Sequence, residues 1–312
     1  MSASALTSGG TMPLTLVPPA ARQGPGPMPA AMVDTLSVLL TRRVARSLPG
    51  DQRAAGVGAG TELAQLRPYR VGDDVRQIDP TATARTGEPH VRVHVPERTL
   101  TTWVVLDLSP SMAFGTAERL KADVAEGVAL VLGRLAMRSA GSVGLVAFGA
   151  RELLTLPPRG SKPGMVALQR ALAAGVERDG EEDPRALHRA LAFVERAAKQ
   201  PGLVAIVSDF RGQEEWTRPL GALRIRHSVV AFDIGDPRED ALPDVGRLTV
   251  VDPETGDLVE VDTSRRRVRE AFAAAERRRR AELVRELRRL HVHHVPLSTD
   301  DDWLLEMGRR LR

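Results

Sequence analysis

Two apolar runs lying far apart in the chain both end in an acid. Val104-Val105-Leu106 leads into Asp107-Leu108-Ser109-Pro110-Ser111-Met112, an Asp-x-Ser-x-Ser loop, and Leu203 to Val207 leads into Ser208-Asp209. If the runs are neighbouring strands of a parallel sheet, Asp107 and Asp209 leave it at the same carboxyl-end crevice, where open α/β sheets bind ligands. That arrangement predicts binding rather than catalysis.

The rest of the chain supports such a sheet. From Thr102 onward strand and helix patterns alternate, as in βαβ units. Strands are expected at Thr102 to Leu106, Ser142 to Phe148, Leu203 to Val207, His227 to Asp233 and His291 to Leu297, with Glu152 to Leu156 as a hairpin partner across Gly149-Ala150-Arg151. Helices are expected at Ala117 to Arg138, Lys162 to Ala174, Pro184 to Lys199, Arg265 to Leu290 and from Asp301. Ala186, Leu187, Ala190, Leu191 and Val194 form one apolar stripe at helical spacing. The fold class read from this pattern is α/β: a doubly wound, mostly parallel central sheet with helices on both faces.

Upstream, residues 1–30 are rich in Pro, Gly, Ser and Ala without periodicity and read as a disordered tail. Residues 31–100 come next as an N-terminal helix and β extension, the helix carried by Met32, Leu36, Leu39, Leu40, Val44 and Leu48. His90 to Val95 alternate as a strand. Gly56 to Gly60 have no strand before them and read as a turn rather than a dinucleotide fingerprint. Residues 101–312 form the main domain.

Composition narrows the function classes. Aromatics make up 3% of 312 residues, so the core relies on aliphatic side chains, which suits helices on a buried parallel sheet. Cysteine is absent, which excludes disulfides and thiolate zinc sites and fits a reducing cytoplasm. The net charge of +4 comes with interleaved acids and points to a solvated ion-pair surface rather than nucleic acid. No apolar run reaches membrane-span length and no secretory signal opens the chain, so a cytoplasmic protein is expected.

Hard oxygen donors dominate the proposed crevice. Mg²⁺ takes near-octahedral oxygen ligation and keeps several waters, so the Ser109 and Ser111 hydroxyls with the Asp107 and Asp209 carboxylates suit it, and a free position can accept a partner's acid. The plainer alternative is that Asp107 and Ser109 form a turn and cap a helix while Asp209 caps the segment after it.

The Asp-x-Ser-x-Ser loop and Ser208-Asp209-Phe210 resemble the metal-ion-dependent adhesion site of von Willebrand factor A domains, over roughly Thr101 to Thr299. Tyr69-Arg70-Val71-Gly72-Asp73-Asp74-Val75-Arg76-Gln77-Ile78-Asp79 with Ala84-Arg85 resembles the signature of a bacterial family of unassigned function. Its members carry such a domain and are commonly encoded beside MoxR-type AAA+ ATPases. Asp252-Pro253-Glu254-Thr255-Gly256, first of all a turn between two strands, resembles another stretch of that family. The resemblance implies a von Willebrand factor A-like fold, Mg²⁺ as cofactor at Asp107, Ser109, Ser111 and Asp209, and a MoxR-type ATPase or its client as partner. Two departures stand out. The loop Gly180-Glu181-Glu182-Asp183-Pro184-Arg185 lacks the usual threonine, with Asp183 either an oxygen donor or an ordinary helix cap, and Pro80 stands where the family usually has Trp.

Other runs have simpler readings. Arg76 and Arg85 are placed to pair with Asp73, Asp74 or Asp79, in an ion-pair cluster tying this segment to the main domain or, alternatively, on a partner-binding surface. His291, His293 and His294 read as structural histidines, and Arg277 to Arg280 as a solvated helix face. A haloacid-dehalogenase-like phosphohydrolase, with Asp107 as nucleophile and Gly235 to Asp240 as the acidic motif, is the alternative. It lacks the second Asp, since Ser109 stands there, and the chain has no lysine after Lys199. The expectation is a non-enzymatic interaction module with no catalytic residues.

Overall fold

A computed structural model of the chain describes residues 62–95, 101–116, 119–138, 141–149, 152–173, 183–212, 214–251 and 258–311. The expected tail, the helix through Met32 to Leu48, the Gly56 to Gly60 turn, Gly180 to Glu182 and the Asp252 to Gly256 turn lie outside these residues.

Six strands form the central sheet: β3 (Thr101–Asp107), β4 (Ser142–Phe148), β5 (Leu154–Gly160), β6 (Leu203–Ser208), β7 (Ser228–Gly235) and β10 (His293–Ser298). Their order is β10-β7-β6-β3-β4-β5, with every pairing parallel except β4 with β5. The chain starts at β3 in the middle, winds out through β4 and β5, then returns to the other side of β3 with β6. Strand order therefore reverses between β3 and β6, which is the switch point where such sheets open a crevice.

Apolar runs become strands here because both faces are covered. Val104, Leu106, Val143, Leu145, Val207, Phe232 and Val295 point to one core, where they meet α2 (Lys121–Arg138), α3 (Ser161–Ala173) and α8 (Trp303–Arg310). Trp103, Val105, Val146, Phe148, Val204 and Ile206 point to the other, against α4 (Ala186–Ala197), α5 (Thr217–Arg226) and α7 (Arg266–Arg289). The period of two in each strand thus feeds two cores, and the sequence reads as continuous apolar runs. All five residues of the expected α4 stripe are buried.

Element ends differ from expectation where local chemistry intervenes. The helix expected from Pro184 begins at Ala186, because Asp183 Oδ1 accepts from Arg185 N at 2.8 Å and Pro184 lies in the preceding turn. His291 is not in a strand: it turns the chain after α7 with φ 54°, and β10 begins two residues later. β5 runs on to Gly160, and its register against β4 shifts between Leu156 and Arg159, where Pro157 and Pro158 lie.

Ahead of the sheet, β1 (Glu62–Pro68) pairs antiparallel with β2 (His90–Val95) and α1 (Pro80–Thr86) lies between them. Asp79 caps α1 by accepting from Ala82 N at 2.8 Å, and Pro80 fills the first helical position, where its missing N–H and fixed φ suit a helix start. Asp73 is held by a two-pronged pair with Arg67, both contacts at 2.7 Å, so its partner is not Arg76 or Arg85. Asp74 accepts from Arg76 N instead. These contacts lie within residues 67–82 and do not form the expected tie to the main domain. A second hairpin joins β8 (Arg247–Val251) and β9 (Leu258–Asp262). Among the described residues no helix is long and apolar enough to cross a membrane.

Gly127, inside α2, faces the fully buried Trp303 of α8, and a Cβ there would lie 2.4 Å from the indole ring. Gly127→Val is expected to destabilise the fold by about 1–3 kcal/mol through overpacking, despite the poor helix propensity of glycine. Urea unfolding checks this; an unchanged midpoint would show that α8 moves aside freely.

Candidate metal and docking site

Leu106 pairs with Val207, which sets Asp107 level with Ser208 and brings Asp209 one residue past the strand end. Asp107, Ser109, Ser111, Ser208 and Asp209 are all buried, at most 3% exposed. Asp107 Oδ1 accepts from Ser109 N at 2.9 Å, and its Oδ2 accepts from the Ser208 hydroxyl. The loop after β3 is thereby clamped to β6 by one carboxylate. Ser208 Oγ in turn accepts from Phe210 N at 2.9 Å. Phe210 has φ 53°, an unusual conformation for a bulky residue, and its ring packs 5.7 Å from Trp216. Gly149, at φ +104°, lies against the other side of the loop, where a Cβ would come within 2.3 Å of Ser109 N.

The four residues singled out in sequence therefore converge at the switch-point crevice. Pro110 starts a single 3-10 turn over Pro110–Ala113, which carries Ser111 round beside Ser109. Their hydroxyls lie 3.0 Å apart, the spacing of adjacent corners of an octahedron with bonds of about 2.1 Å. The distance is also that of a hydrogen bond between the two hydroxyls, and their oxygens, with the carboxylates of Asp107 and Asp209, are the hard donors a small divalent cation takes. No trio of His, Cys, Asp or Glu poised to hold a metal occurs among the described residues, so an ion here would depend on those hydroxyls. Asp183 does not join them: its carboxylate takes Arg185 N and pairs with Arg189 at 2.8 Å.

Sequence reasoning missed the cation that the fold itself supplies. Lys121, the first residue of α2, is fully buried, and its Nζ lies 2.6 Å from both Asp209 Oδ2 and Glu239 Oε1. Burial opposes its charge, but the two carboxylates outweigh burial and raise its pKa above the ordinary lysine value. Burial pushes Asp209 up, yet Lys121, Arg211 N and Ser111 hold it below the usual carboxylate range. The one hint was rarity: Lys121 is one of three lysines in a chain whose basic residues are otherwise arginine.

Glu239 serves three partners. One oxygen holds Lys121, and the other accepts from Asp236 N at 3.1 Å in a capping box at the short helix α6 (Pro237–Asp240). Asp236 binds Thr116 N and Oγ1, Arg238 N and Thr299 Oγ1. The acidic run from Gly235 to Asp240, which resembles a phosphohydrolase motif in sequence, is thus committed to joining the ends of β7 and β10 to the loop after β3. Beyond it, Arg211 spans Glu239 at 3.2 Å and Glu276 at 2.9 Å, and Arg279 also binds Glu276 at 2.9 Å. The inner side of α7 is therefore part of the site's wall, so of Arg277 to Arg280, expected as a solvated face, only Arg277 and Arg278 are exposed, while Arg279 turns in to Glu276 and Arg280 to Asp240 at 3.1 Å. His294 pairs with Asp233 at 3.1 Å and His293 with Arg310 O at 2.8 Å, both structural roles.

Known proteins offer few functional clues. A family model described as a protein of unknown function, DUF58, matches residues 65–282. Uncharacterized protein Rv1480 of Mycobacterium tuberculosis is 34% identical over 307 residues, covering 95% of this chain and 94% of that protein. Uncharacterized protein MAV169 of Mycobacterium avium is 37% identical over 123 residues, 39% of this chain and 72% of its own length. Among solved structures, the conserved hypothetical protein BatB from Bacteroides thetaiotaomicron has a TM-score of 0.45 at 14% identity, covering 68% of this chain and 97% of its own. The SpRpn10 VWA domain has a TM-score of 0.31 at 12% identity, covering 44% and 75%.

Burial first, and the charge of Asp209 second, push the Asp107 carboxyl up to about 7, against hydrogen bonds from Ser109 and Ser208 that favour its ionised form. A carboxyl raised in the folded state supports folding most at low pH and loses that support as pH rises from about 4 through about 7. In chelator, the stability difference between wild type and Asp107→Asn should therefore swing toward the variant across that window, by on the order of 1–3 kcal/mol. Urea unfolding at several pH values reads it; a difference independent of pH would show that Asp107 stays ionised throughout.

Proposed function

This chain belongs to the DUF58 family of proteins of unknown function, and on that premise we propose that its switch-point crevice is a divalent-cation-centred docking site for an acidic group of a protein partner. The observation that carries the reading is the Ser109–Ser111 hydroxyl pair at octahedral-edge spacing beside the buried Asp107 carboxyl. In this reading the two hydroxyls hold the ion directly, and Asp107 and Asp209 supply negative charge and order its waters. The ion contributes a coordination position for the partner's carboxylate.

The reading is non-enzymatic. A nucleophile needs a base within reach and a third group to orient that base. Here the site serines bond to each other and to Asp107, and Lys121 is an ammonium paired with two carboxylates rather than a free base. The Asp236 carboxylate, which the phosphohydrolase alternative would need free, is taken by two threonines and two backbone N–H groups.

For the partner, the proposal rests on the signature through Tyr69 to Asp79: a MoxR-type AAA+ ATPase or the client it acts on, in the assembly or maturation of that client. The proposed setting is the cytoplasm, which the absence of cysteine suits.

A pull-down of the cognate MoxR-type ATPase tests both halves. Capture should require Mg²⁺, fail in chelator, and fall by about tenfold or more in Asp107→Ala with circular dichroism unchanged. Equal capture by the variant, or by wild type in chelator, would end the metal-centred reading.

A further inference from the structure

We infer that Lys121 is a built-in cation that competes with the divalent ion for this site, so that loading requires the ammonium to release Asp209; the inference rests on the docking-site reading above. Its position is costly. Lys121 opens an 18-residue helix, and the N-terminal end of a helix carries partial positive charge that disfavours a cation. Burying a lone ammonium is costlier still. The side chain is nonetheless fully buried, with Nζ at 2.6 Å from Asp209 and Glu239 and 5.8 Å from the centre of the Phe114 ring. Asp209 and Glu239 supply the compensation, and Asp209 is one of the two carboxylates on which the ion's charge balance depends.

The consequence is arithmetic of charge. With Asp209 neutralised by Lys121, the crevice offers a divalent ion the single carboxylate of Asp107, two neutral hydroxyls and no help from Asp183. Freeing Asp209 restores the second carboxylate. A lysine stem is long and flexible enough to swing its head aside while α2 stays put. Phe114, whose ring covers the ammonium at 5.8 Å, is itself 41% exposed, so one side chain separates the head from solvent on that side. Metal loading is thereby set weak in the isolated protein, and a partner that contributes its own carboxylate strengthens it.

The test uses the full chain and Mn²⁺, counted free by electron paramagnetic resonance, with circular dichroism and a thermal melt as folding controls. Lys121→Met should bind Mn²⁺ about tenfold or more tightly than wild type, because one unit of opposing charge leaves the site. Since that variant strands two carboxylates, the double variant Lys121→Met/Glu239→Gln is measured alongside. It keeps the net charge unchanged, so tighter binding there reports the release of Asp209 rather than the overall field. Binding by wild type that neither variant improves would overturn the competition while leaving the docking site standing. No Mn²⁺ bound by any of the three would overturn the docking-site reading itself, and this inference with it.

Discussion

Parallel pairing of β3 with β6 is the constraint on which the crevice depends. It sets Asp107 and Asp209 side by side at the strand ends, out of water, with few ways to neutralise them. Two like charges in a poorly solvated place either lose one charge to a proton or acquire a counter-ion. The fold uses both routes: Asp107 is pushed toward its neutral form, while Asp209 is kept ionised by Lys121. The same need extends outward in alternating signs, through Glu239, Arg211, Glu276 and Arg279. A set of acids and arginines scattered along the sequence is, in the fold, one layered neutralisation of a charged strand edge.

How much of this was legible depends on how far each interaction reaches. The middle of the sheet was readable because β3, β4, β6 and β7 are buried on both faces, so their apolar runs are unbroken, and α4 was readable because its stripe of five repeats at helical spacing. Asp107, Ser109 and Ser111 were readable because they lie in one short loop. Asp209 required only the assumption that β6 adjoins β3. Lys121 was not, since its partners lie 88 and 118 residues away and nothing in its neighbours specifies them. Arg67 was overlooked for Asp73 in favour of Arg76 and Arg85 because proximity to a turn in sequence says little about which side chain lies across it. His291 was placed in a strand by alternation alone, whereas the end of α7 turns there with a left-handed residue.

Asp236 shows how the loop is kept from wandering. One carboxylate ties together Thr116 from the loop after β3, the start of α6 and Thr299 after β10, so the loop that carries the two serines is anchored at its far end as well as by Asp107 at its near end. Preorganisation of this kind keeps the hydroxyls in place before any ligand arrives, and so lowers the ordering entropy that binding must overcome.

The double proline of β5 has an effect remote from the crevice. Pro157 and Pro158 remove two backbone donors from this edge strand and lie where its register against β4 shifts, so the strand is both short of N–H groups and irregular there. A margin broken like this is a poor template for an extra strand. Self-association by edge-to-edge sheet growth, the ordinary hazard of an exposed antiparallel strand, is thus obstructed on this flank by the covalent structure of the chain.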